Sequence, residues 1–75
     1  MKNTKRYDVT NRIIDYEMGH LDDAKTLRLF SELIKNGMAW SLQGHYGRSA
    51  SAMIEDGWIE RDGTITEKAE LNGLT

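Results

Sequence analysis

Glycine placement constrains this chain more than any other feature, because seven glycines divide 75 residues into lengths that suit short helices and tight turns. Glycine accepts the left-handed backbone that closes a helix, so Gly19, Gly37, Gly57 and Gly73 read as helix stops. The densest stretch is Gly37 to Trp58, GMAWSLQGHYGRSASAMIEDGW, which holds both tryptophans and four of the seven glycines. The rest of the chain reads as scaffold for it.

Between the stops, the apolar spacing is helical. Val9, Ile13 and Tyr16 form one stripe and Ile14 and Met18 a second, with Asp8 or Thr10 as the cap of this first helix. A second helix starts at Asp22 as N-cap, with Asp23 beside the positive end of the dipole, and runs to about Asn36. Leu27, Phe30 and Ile34 line one of its faces, Leu29 and Leu33 the next. Met38 to Leu42 is one or two turns ending near Gly44, since glycine inside a continuous helix costs roughly 1 kcal/mol against alanine. A third helix opens at His45 or Gly47. Tyr46, Ala50, Met53 and Ile54 face inward there, Arg48, Ser49, Ser51 and Glu55 face outward, and Ala50 and Ala52 permit close packing. Trp58 to Thr66 reads as strand, Asp62-Gly63 turn and strand, which predicts a β-hairpin lying on the helices. Thr66 caps a last short helix, Glu67 to Leu71.

The expected fold is therefore mainly α: a three-helix compact domain with a short C-terminal β-hairpin, an order compatible with a winged-helix arrangement. Residues 1–7 form a flexible basic tail and residues 8–75 one small domain. No cysteine is present, so packing alone must hold it, as suits a reducing cytoplasm. No apolar run approaches the length that spans a bilayer, and none follows the basic start as in an export signal.

Charge is segregated along the chain. The first twelve residues carry +3, whereas residues 13–75 hold six basic and eleven acidic side chains. An acidic body is a poor match for phosphate, because nucleic-acid affinity rests on Lys and Arg neutralising the backbone.

Motifs for catalysis fail on inspection. His45, Tyr46, Arg48 and Ser49 are chemically able, but acid–base work needs an orienting partner and a pocket that so short a chain rarely encloses. His20 beside Asp22 and Asp23 has no second histidine one turn away, so capping explains the acids better than a metal does. Gly44 to Ser49 lacks the Lys-Ser/Thr of a phosphate loop, although an anion at the third helix's N-terminus near Arg48 stays open. The expectation is no enzyme, no cofactor and no metal. Trp40, Tyr46 and Trp58 read first as core fillers, with at least one left exposed.

The segments TNRIIDYEMG, the Leu21-Asp22 helix start and LFSELIKNGMAWSLQGHYGR, followed by the Ala-rich helix to Gly57, resemble a family of small uncharacterised proteins of bacteriophages and prophages. Ala39 to Arg48, AWSLQGHYGR, is the most specific part; Lys25 departs from the acidic residue expected after Leu-Asp. The resemblance spans residues 9 to 59 and brings an origin without a mechanism. It implies a protein of the host-cell cytoplasm that binds and modulates a host macromolecular machine, in host takeover or counter-defence.

The contact surface expected for a host protein is Trp40, Gln43, His45, Tyr46 and Arg48, where aromatic and Arg anchors cluster. The alternative is a winged-helix-like DNA-binding transcriptional regulator reading DNA with His45, Tyr46, Arg48, Ser49, Ser51 and Arg61, a reading the acidic body disfavours. A homodimer through Ile14 and Met18 is compatible with either.

Overall fold

The computed structural model describes residues 7–74, and what sets their arrangement is the second helix. In order, the elements are α1 (Val9–Glu17), α2 (Asp23–Lys35), a 3-10 turn (Met38–Trp40), α3 (Gly44–Glu55) and α4 (Glu67–Leu71). The chain is small, compact and mainly helical, and among the described residues there is no strand.

α2 begins where Asp22 accepts a hydrogen bond from the Lys25 amide at 2.8 Å, satisfying one of the free donors of the first turn. Its Leu27, Leu29, Phe30, Leu33 and Ile34 are all buried, with Ala39, Tyr46, Ala50, Ile59 and Ala69 around them. Each large aliphatic or aromatic side chain so buried contributes about 1.5–3 kcal/mol. Asp22→Ala is expected to lower stability by about 1 kcal/mol, read as an earlier urea midpoint with an unchanged slope.

α1 is capped by Asp8, whose carboxylate takes the Asn11 amide at 3.2 Å and the Asn11 side chain at 2.6 Å. One of its two stripes is covered: Val9, Ile13 and Tyr16 rest partly buried against the core. The other is not, and Ile14 and Met18 are 49% and 65% exposed. The tail expected over residues 1–7 lies outside the described residues as far as residue 6. Tyr7 is described, and the Arg28 guanidinium stands 4.6 Å over its ring.

α3 starts one residue earlier than the earlier expected start. Tyr46 and Ala50 are buried and Met53 and Ile54 half-buried, as the spacing requires, whereas Ala52 is exposed and takes no part in close packing.

The C-terminal β-hairpin does not form, which corrects the expectation for Trp58 to Thr66. Ile59 and Ile65 make a single isolated antiparallel bridge, flanked by the Glu60 amide on the Thr64 carbonyl (2.8 Å) and the Thr66 amide on the Trp58 carbonyl (3.1 Å). The segment is occupied elsewhere at both ends. Trp58 and Ile59 amides return to the Met53 carbonyl at the end of α3, and Thr66 is already the cap of α4. The turn between them is also not a projecting wing. Ser31, buried in the middle of α2, donates its hydroxyl to the Gly63 carbonyl and holds the turn against the helix. Among the described residues, four α-helices and a pinned loop replace the three-helix-plus-hairpin description, and the fold is mainly helical.

Candidate contact face around Trp40

Gly37, with φ +80°, ends the passage out of α2, and the Asn36 side chain accepts the Met38 amide at 2.9 Å. That geometry winds Met38–Trp40 into a 3-10 turn with Ala39 inside and Trp40 outside. Trp40 is 53% exposed. Its ring lies over Gly47 of α3, where a β-carbon would stand 3.8 Å from the ring and 3.5 Å from the Ala39 carbonyl. A β-carbon at those distances would be in ordinary van der Waals contact, so α3 passes close to the edge of the indole without requiring glycine there.

Beside the ring runs an open groove of about 320 Å³, lined by Trp40, Ser51, Ile54, Glu55 and Arg61. Ser51, Ile54 and Glu55 share a face of α3 by helical spacing; Arg61 comes from the loop that Ser31 anchors. Among the described residues, Arg48, Glu55 and Arg61 form no ion pair, the pairs present being Arg12 with Asp15 and Arg28 with Glu32. The groove thus offers an aromatic and an aliphatic wall with one free charge of each sign.

The five residues expected to form the contact surface divide. Trp40, Gln43 and Arg48 are exposed; Gln43 precedes α3 without a side-chain capping bond, and the Arg48 guanidinium folds back over Gly44. His45 is half-buried, its ring 4.2 Å from that of Tyr46. Tyr46 leaves the set altogether, because it is 2% exposed and centres the core. Its ring meets Tyr16 at 5.7 Å and Phe30 at 6.1 Å, and its hydroxyl donates to Glu17 at 2.6 Å, tying α3 to α1. The inward spacing of Tyr46 with Ala50, Met53 and Ile54 already said so. The DNA-reading set fares no better as a unit: Ser51 and Arg61 share the Trp40 groove, Ser49 lines a different one, and Tyr46 is internal. Of the groove residues the contact-surface expectation held only Trp40; Ser51 and Arg61 belonged to the DNA-reading set, and Ile54 and Glu55 to neither, their helical spacing from Ser51 being the signal that marks them.

Burial, with the hydrogen bond to Glu17, pushes the Tyr46 phenol well above its ordinary value. The folded state thereby favours the neutral phenol, so this contribution is complete below the unfolded tyrosine pKa of about 10 and is lost as pH rises beyond it. Stability is expected to fall above that pH. Tyr46→Phe should cost about 1 kcal/mol at neutral pH and flatten the alkaline loss, as followed by urea titration at several pH values.

Among the described residues no group of three His, Asp or Glu side chains stands close enough to hold a metal, and no helix is long and apolar enough to cross a membrane. No curated protein and no solved structure matches the chain. Residues 3–73 match the family defined by a domain of unknown function, DUF7417; spanning nearly the whole chain, that match makes this protein a member of the DUF7417 family.

Proposed function

We propose that this chain is a non-enzymatic binding protein, encoded by a phage, that docks on a host macromolecular machine through the face around Trp40. The observation that carries the reading is a half-exposed tryptophan beside a groove whose Glu55 and Arg61 form no ion pair among the described residues. Tryptophan and arginine dominate the energetics of protein interfaces, where the ring fills a pocket and the guanidinium is desolvated against a carboxylate. A groove bearing both signs suits a polypeptide, which can answer each; a nucleic acid offers only anions along its backbone. The resemblance of Ala39 to Arg48 to phage proteins supplies the host as the source of the partner and the host cytoplasm as the place. Neither cofactor nor metal enters this role.

The DNA-regulator reading loses support on two counts. Its wing is a loop pinned to α2, and Arg61 has Glu60 and Asp62 as chain neighbours. A homodimer through Ile14 and Met18 remains compatible with host binding, and light scattering that finds only monomer at high concentration removes it. The test of the main reading is affinity capture from host lysate with wild-type protein and Trp40→Ala in parallel. A stoichiometric partner retained by the first and lost from the second supports it. A partner held equally by both contradicts it.

A further inference from the structure

On another side of the molecule, α3, the start of α2 and the C-terminal segment enclose a second groove of about 420 Å³. Its floor is apolar, made by Leu27, Met53 and Trp58, and Asp23 and Asp56 stand at its margins. Among the described residues neither carboxylate makes an ion pair, and no cationic side chain lines the groove. Trp58 already receives one ammonium group, because Lys68 Nζ lies 4.3 Å from its ring centroid while donating to the Asp56 carbonyl. Lys68 thus borders the groove at Trp58 and Asp56 and offsets part of its negative charge, while the side chains that line the groove include two carboxylates and no cation.

We infer that this groove is a second binding site, distinct from the Trp40 face, that takes an arginine or lysine side chain of a partner polypeptide. The reasoning is complementarity. The stem of a long basic side chain is aliphatic and covers apolar surface while its head stays polar. Here the floor would take the stem, and Asp23 and Asp56 would take the head. An anionic ligand meets two carboxylates and is repelled. A second copy docking by the same face would oppose its own Asp23 and Asp56 to these, so the occupant is not this face of another copy.

The protein reports on the site by itself, since Trp40→Phe leaves Trp58 as the one tryptophan. This variant is titrated with acetyl-Ala-Arg-Leu-Arg-Ala-amide and with the same peptide carrying glutamine for arginine, with Trp58 emission as readout. The expected result is a saturable change with the arginine peptide, weakened by added salt, and an affinity for the glutamine peptide lower by about tenfold, as loss of two partly exposed charge pairs implies. Asp23→Asn with Asp56→Asn should reproduce that loss. Ala52→Lys alters an exposed position lining the groove, so it should abolish binding while circular dichroism stays unchanged. No saturable change, equal affinity for both peptides, or binding that survives Ala52→Lys overturns the inference. So does a dimer in light scattering that Ala52→Lys dissociates, which would make a second copy the occupant.

Discussion

Gly63→Ala is expected to destabilise the fold by roughly 3 kcal/mol, a large part of what a chain this size has, because it combines strain with collision. Gly63 has φ +96°, and a β-carbon there would stand 2.5 Å from Lys35 Cγ, 2.8 Å from the Ser31 carbonyl and 3.1 Å from the Lys35 amide. The lysine side chain can swing aside. The backbone of α2 cannot, so the turn must lift and surrender the buried hydrogen bond from Ser31. At about 0.05–0.15 kcal/mol per residue, a domain of this length starts with only about 4–11 kcal/mol. Gly19→Ala is the control, since φ is +77° there but nothing lies within 4 Å of the added carbon. Its loss should be about 1 kcal/mol, the conformational part alone. Urea denaturation of the two variants separates contact from backbone preference, and equal losses would mean that the turn is not pressed on α2.

Trp40→Ala is expected to weaken partner binding by at least about thirtyfold, the loss of roughly 2 kcal/mol that marks an interface hot spot, with stability changed by no more than about 0.5 kcal/mol. Those two numbers must be measured together. The ring is half exposed, so removing it opens no sealed cavity. Tyr46→Ala would abolish binding too, but by emptying the centre of the core, and it therefore says nothing about contact. Calorimetric titration of the captured partner, beside thermal melts of each variant, distinguishes the two causes.

Much of the helical scaffold could be read from sequence because its signals are local. Asp22 and Gly37 bracket α2, five apolar residues repeat at helical spacing between them, and all five are buried. Trp58 to Thr66 departs from the expected hairpin because alternation and an Asp-Gly pair favour a hairpin without securing one. What decided the matter was distant in sequence: Ser31, a serine among buried leucines and phenylalanine, needs an acceptor and finds it at Gly63. A hydroxyl on a buried helix face was the available clue that some loop must come down there. The candidate site was half legible for the same reason. Tyr46 obeys the period of α3 and goes inside, whereas the direction of Trp40 depends on a 3-10 turn that no period describes. The groove beside it exists only once Arg61 is brought to α3 by the pinned loop.

Hydroxyl-radical footprinting of the free protein and of its complex tests the central claim most directly. Trp40 and Met18 are both oxidisable and both exposed, on different elements, so each serves as the other's control. Binding through the proposed face predicts that oxidation of Trp40 drops in the complex while Met18 is oxidised as before. A complex in which Met18 is shielded and Trp40 reacts as freely as in the unbound protein would contradict it.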